Sequence, residues 1–261
     1  KPRPGKVRRV RKTLRWLRRL LGEWRDCDVE LELVAQEHRR TRSPVKRQAW
    51  KLVQDHLLEK REHLMAQARE KLLKYDLKDF AGNVQKLLDR PPPNENWEAL
   101  RTHWHAAVDT AWTQWYAALA QAQETRSAGD IHQFRIATKR LRYRVELAHE
   151  MGDKEIAPLL DELKQLQDTV GLWHDRQELY GVMAEAMSRP QLLLGESRKV
   201  RLLLSEIEKD RLRQRRALDE ILRLAGDVRA ERTAAARGSD AHAGRGARLR
   251  QGHARTRRVA G

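Results

Sequence analysis

Apolar residues recur at three- and four-residue spacing along nearly the whole chain, and alternating β-branched runs are absent. That period predicts an all-α fold with few or no strands. Pro2, Pro4 and Gly5 precede a first helix from about Lys6 to Leu21, and Gly22 marks a turn or kink before a second helix through about His38. Ser43 followed by Pro44 is a helix cap with proline in the first position, so a long helix should run from there to about Tyr75. A shorter helix spans Asp76 to Asp89, and Pro91, Pro92 and Pro93 end it, since proline supplies no backbone donor. Asn96 can cap a helix to about Thr125, with Leu100, Trp104, Ala107, Val108, Ala111, Trp115 and Leu119 turned to a core. Further helices are expected near Ile131–Met151, Glu155–Thr169, Trp173–Met187 and Leu194–Ala225. From Gly226 the composition turns to Arg, Ala and Gly without apolar periodicity, which predicts a disordered basic tail over 226–261, at least beyond Arg232.

Set against itself, the chain repeats. Leu14, Leu17, Gly22, Trp24 and Asp26 return at one constant offset as Leu163, Leu166, Gly171, Trp173 and Asp175. The leucines and tryptophans suit a core, whereas Asp26 and Asp175 can cap a following helix or orient a neighbouring base. Two related halves are expected, about 1–90 and about 96–225.

Charge adds a partner class. Against 54 Lys and Arg stand 37 Asp and Glu, a formal net charge of +17. Such a surplus favours a polyanion, and nucleic acid, anionic lipid and polyphosphate all qualify. Cys27 stands alone, so it closes no intramolecular disulfide; it reads as a small buried apolar residue in a reducing, cytoplasmic setting. No stretch reaches the roughly 18 to 20 apolar residues of a membrane span, and the first residues lack a signal-peptide apolar core.

The cations are organised. At 100° per residue, His132, Arg135, Lys139 and Arg142 fall within an arc of about 80°, while Phe134, Ala137, Leu141 and Val145 take another face. In the first helix Val7, Val10, Leu14, Leu17 and Leu21 form a stripe beside Arg8, Arg11, Lys12, Arg15, Arg18 and Arg19, and no Asp or Glu occurs between Lys6 and Leu21. Clustered cations on one helix repel one another unless an anion arrives. Arginine offers a planar donor fork to phosphate oxygens and lysine a mobile point charge, so such rows can track successive phosphates. Arg25, His174, Lys164 and Arg176, around the repeat elements, are secondary candidates. Lys46, Arg47, Lys51, Lys60, Arg61, Arg69 and Lys71 alternate with acids and read as a solvated face.

The segment from Ile131 to Leu147, IHQFRIATKRLRYRVEL, with LRRLLGEWRDCDV in the first half, resembles the CHAD family, the conserved histidine α-helical domain. His132, Arg135, Lys139, Arg140, Leu141, Arg142 and Tyr143 carry the resemblance, which covers most of residues 6 to 225. It implies two pseudo-symmetric bundles of long antiparallel helices around a basic central groove that binds inorganic polyphosphate without catalysis, in association with polyphosphate granules. The implied ligands are Arg8, Arg11, Lys12, Arg15, Arg18, Arg19, Arg25, His132, Arg135, Lys139, Arg140, Arg142, Lys164 and His174, with no metal or cofactor. One departure stands out. His132 lies well upstream of Leu163, so by the repeat its first-half counterpart would fall before Lys1; either the helix carrying it is missing from this chain or this member has lost part of the site.

Rival readings make different demands. A nucleic-acid binder shares the basic signature, yet no zinc-finger spacing, basic-region zipper or RNA-recognition motif occurs. A metal-dependent phosphohydrolase needs converging ligands, whereas His103 and His105 are two apart on a helix and face different ways. Glu30 and Glu32 lack the lysine that follows in acidic triphosphate-binding strands, Val34 standing there, and their context is helical. A membrane-surface role would need apolar faces that the helices spend on a core. Oligomeric state is open on sequence grounds.

Overall fold

A computed structural model describes residues 4–89, 97–153, 156–190 and 195–256, with side chains as far as Thr233. Seven helices and no strand occur among them, so the fold is all-α: α1 (Pro4–Arg40), α2 (Pro44–Leu73), α3 (Leu77–Leu88), α4 (Trp97–Thr125), α5 (Ala128–Glu150), α6 (Ala157–Met187) and α7 (Ser197–Thr256). The expected stop at Pro91, Pro92 and Pro93, the Asn96 cap and the helix starts at Glu155 and Leu194 lie outside the described residues.

Several boundaries follow the predicted chemistry. Ser43 Oγ accepts the Lys46 amide at 3.5 Å with Pro44 beside it, and Asp76 accepts the Asp79 amide at 2.9 Å to open α3. Ser127 accepts the Asp130 amide at 3.1 Å, after Arg126 turns the chain with a φ of 50° in the left-handed region. Two expected breaks are absent. Gly22 lies inside α1 and Gly171 inside α6, so each pair of short helices is one long helix. A helical glycine costs only about 1 kcal/mol against alanine, too little to interrupt so many turns. Asp26 and Asp175 consequently sit in mid-helix and cap nothing. α7 also departs from the expected irregular tail, continuing past Ala225 to Thr256; Val228 extends its buried stripe, and alanines and arginines, good helix formers, follow.

The chain divides into two compact units that are not successive in sequence. Unit 1 takes α1, α2, α3, α6 from His174 and α7 up to Arg213; unit 2 takes α4, α5, α6 up to Trp173 and α7 from Gln214. The two contiguous halves expected from the repeat do not coincide with these units, because α6 and α7 each serve both.

In unit 1, Cys27 and Val34 of α1, Val53 and Leu57 of α2, Met183 of α6 and Leu203 of α7 share one core. Cys27 is buried, its thiol donating to the Leu57 carbonyl at 3.4 Å, and burial pushes its pKa up, as suits an inert packed thiol. In unit 2, Trp115, Phe134, Leu141, Leu163, Leu166 and Ile221 form the centre. Trp115 Nε1 donates to Thr138 Oγ1 at 3.0 Å, and Trp173 Nε1 to the Gln214 carbonyl at 3.2 Å, so both indoles are packing elements with satisfied donors. Each fully buried Leu or Phe side chain contributes about 1.5–3 kcal/mol. The predicted α4 stripe holds from Ala111 through Trp115 to Leu119, while Leu100, a turn from the helix start, is exposed.

Candidate functional site

The first turns of α1 are anchored through one polar pair. Thr13 is buried, its hydroxyl 2.6 Å from that of Tyr75, and Trp16 stacks on the Tyr75 ring at 4.7 Å. The expected core stripe is corrected here: Leu14 is 53% exposed, and Val7, Val10, Leu17 and Leu21 are only half-buried. At 100° per residue Thr13 lies about 160° round the helix from the middle of the arginine row, so anchoring it turns the cations outward.

Arg8, Arg11, Lys12, Arg15, Arg18 and Arg19 are all exposed. Among the described residues none of the six forms an ion pair, and the row's own hydrogen bond is Arg15 Nε donating to the Arg11 carbonyl at 3.4 Å. With 1.5 Å of rise per residue the row is about 16 Å long. Arg8, Lys12, Arg15 and Arg19, joined by Arg9, line an open hollow of about 620 Å³. Arg8, Arg11 and Arg15 border a second, of about 780 Å³, with Val7 and Leu14. Arg9 was not among the predicted residues, although the acid-free run around it was a usable signal.

α5 holds its cations differently. Phe134, Ala137, Leu141 and Val145 are buried as predicted, and His132, Arg135, Lys139 and Arg142 sit half-buried beside them, with Arg140 exposed. Arg142 Nε donates to Gln167 Oε1 at 2.9 Å, its guanidinium pairs with Glu146 at 3.2 Å, and it lies 4.3 Å from the centre of the Tyr143 ring. His132, Arg135 and Lys139 also engage neighbouring groups. Lys164, on α6 of the same unit, is exposed.

The α1 row belongs to unit 1 and the α5 set to unit 2. Of the secondary candidates in unit 1, Arg25 is exposed and His174 is half-buried with Nδ1 3.9 Å from Glu178. Arg176 is committed internally, paired with Asp210 at 3.3 Å and Glu37 at 3.5 Å, while Tyr180 donates to Asp210 at 2.6 Å. Burial and that carboxylate push the Tyr180 phenol up. The α2 cations expected on a solvated face are partly tied down: Lys46 pairs with Glu206 at 2.7 Å and Arg61 with Asp28 at 2.6 Å.

One titratable cluster escaped sequence reasoning. Glu30 of α1 is 8% exposed, and burial pushes its carboxyl up to about 7 against the pull of Lys60, with Glu178, Asp26 and Glu185 reinforcing the rise. Lys60 donates to Glu185 at 3.1 Å, and His56 Nε2 lies 3.5 Å from the same carboxylate. The buried His56 Nδ1 and Trp24 Nε1 have no hydrogen-bond partner among the described residues. A lone Glu in a helical stripe was the available signal, visible only against the apolar residue at its repeat position.

No group of three or more His, Cys, Asp and Glu among the described residues could hold a metal ion, and no described helix is long and apolar enough to cross a membrane. Comparison with curated proteins and with solved structures gives no match. The family model for the CHAD domain matches residues 2–184, from the start of α1 to near the end of α6 and short of α7. That span is well over half of the chain and contains both copies of the repeat and the α5 segment, so the chain belongs to the CHAD domain family.

Proposed function

We propose that this protein binds inorganic polyphosphate without altering it chemically, using the exposed cations of α1 and the half-buried cations of α5 as its ligands. The observation that carries the reading is the α1 row: six exposed Lys and Arg within about 16 Å, with no acid in the sequence between them and no ion pair among the described residues. Repulsion along such a row costs a few tenths of a kcal/mol per neighbouring pair, and a flexible linear polyanion relieves several pairs at once. Membership of a family linked to polyphosphate supports the choice among polyanions. Arg25, Lys164 and His174 would extend the contacts. The ligand also gives the expected setting, the cytoplasm, at polyphosphate granules.

Calorimetric titration with medium-chain polyphosphate tests the reading. Arg8, Arg11 and Arg15 replaced together by Ala should weaken binding by about tenfold or more, as should Arg135→Ala with Lys139→Ala, with helical content unchanged. Raising salt should weaken wild-type binding steeply, since each phosphate contact releases counterions. An RNA competitor that displaces polyphosphate at equal phosphate concentration would turn the assignment to nucleic acid. Phosphate release on adding a divalent metal would make the protein an enzyme.

A further inference from the structure

Arg101 and His105 lie one turn apart on α4, at the four-residue spacing that puts two side chains on one face. Both are exposed, and among the described residues neither side chain joins a hydrogen bond or an ion pair. They border a hollow of about 480 Å³ in unit 2, with Trp104, Ala148 and Met151 as its apolar lining and Gly152 and Asp153 at the end of α5. The volume falls within the range of small-molecule sites, roughly 300–1,000 Å³. None of these residues belongs to the α1 row or to the α5 cations.

Both walls are held in place. Trp104 Nε1 donates to the Arg144 carbonyl at 3.0 Å, and the Arg144 guanidinium donates to the Ala107 carbonyl at 2.8 Å, so two bonds running in opposite directions lock α4 to α5 beside the hollow. With its donor committed, the half-buried indole gives the hollow ring surface. On the other side Gly152, at a φ of 105° in the left-handed region, turns the chain out of α5, and the Asp153 amide donates back to the Ala148 carbonyl at 3.2 Å. The result is a preformed apolar bed below two uncommitted donor groups.

We infer that this hollow binds a small phosphorylated molecule with a planar aromatic ring, of the nucleoside monophosphate class. The Arg101 guanidinium presents a donor fork to phosphate oxygens, and His105 adds a ring N–H on the same face. The base lies against Trp104 and Met151, where stacking and burial favour a flat apolar body. Asp153, from the other wall, repels a second anionic group and accepts from a ribose hydroxyl or a base amino group. One phosphate at one end and donors at the other satisfy both walls. A bare phosphate chain, anionic throughout and without a ring, suits the open α1 row instead.

Calorimetric titration of the 261-residue chain with adenosine monophosphate tests the site. Arg101→Ala with His105→Ala should weaken binding by about tenfold or more, with helical content unchanged, since both side chains are exposed. The same variant should change polyphosphate affinity by less than about twofold, because the two sets of residues are separate. In nitrogen–proton NMR spectra the Trp104 indole N–H, identified by its loss in Trp104→Phe, should shift as the nucleotide is added. Absence of binding at millimolar nucleotide overturns the inference. Inorganic phosphate competing as well as the nucleotide also overturns it, because the ring would then contribute nothing. So does loss of nucleotide binding on replacing Arg8, Arg11 and Arg15 by Ala while the Arg101 and His105 variant binds as wild type, which would put the nucleotide on the α1 row.

Discussion

Glu30 stands where the second copy of the repeat has Leu179, which is buried at 3% exposure. A carboxyl in that position must either shed its charge or hold it against desolvation, and its pKa of about 7 reflects the former. Because the folded state binds this proton more tightly than the unfolded chain, its contribution to stability is fully present below about pH 4.5 and is lost as pH rises through about 7. Glu30→Leu should therefore remove a pH-dependent penalty of roughly 1–2 kcal/mol, stabilising the protein at pH 8 and changing little at pH 5. Urea unfolding at the two pH values measures the difference; equal effects at both would show that Glu30 is already neutral or already paired. At this scale the local chemistry was legible in the sequence: the Ser43 cap, the Asp76 side chain at the start of α3 and the packed Cys27 all follow from residue type and neighbours. Burial of Glu30 and exposure of Leu14 were not, because both depend on which helix lies opposite.

Among the elements, helical period was readable almost everywhere, and the errors fall on joints. Gly22 and Gly171 were taken as breaks, yet both lie within continuous helices, and a Cβ added at either meets nothing within 4 Å. Alanine at each position should stabilise the protein by about 1 kcal/mol, read as a rise in urea midpoint with unchanged slope. A loss of stability instead would mean that something other than helix propensity sets glycine at these positions. The α5 face was legible because apolar and basic positions separate cleanly along it. The α1 face was misjudged although its pattern is as clean, since amphipathicity states that a stripe prefers cover and not that cover exists. Removing the buried hydroxyl anchor by Thr13→Val should leave Tyr75 without its partner and cost about 1 kcal/mol, a loss that should fall on the α1 and α3 amides in hydrogen exchange.

For the molecule as a whole, the all-α class and the family followed from periodicity and a few motif residues, whereas the division into units did not. The repeat suggested two successive halves, but α6 passes between units after Trp173 and α7 after Arg213. Such interleaving is set by contacts between residues far apart in sequence, which period and propensity do not encode. The charge surplus was legible as a preference for polyanions; its apportioning into an open row on α1 and a braced set on α5 needed coordinates. Interleaving also determines what cutting the chain can release. A protease acting between Leu88 and Trp97 severs the peptide, yet the larger product retains the α6 and α7 stretches whose Met183 and Leu203 complete the core around Val34 and Val53. The two products should therefore co-elute on size exclusion until denaturant is added, and when prepared separately should find each other again, as halves of a zip fastener do.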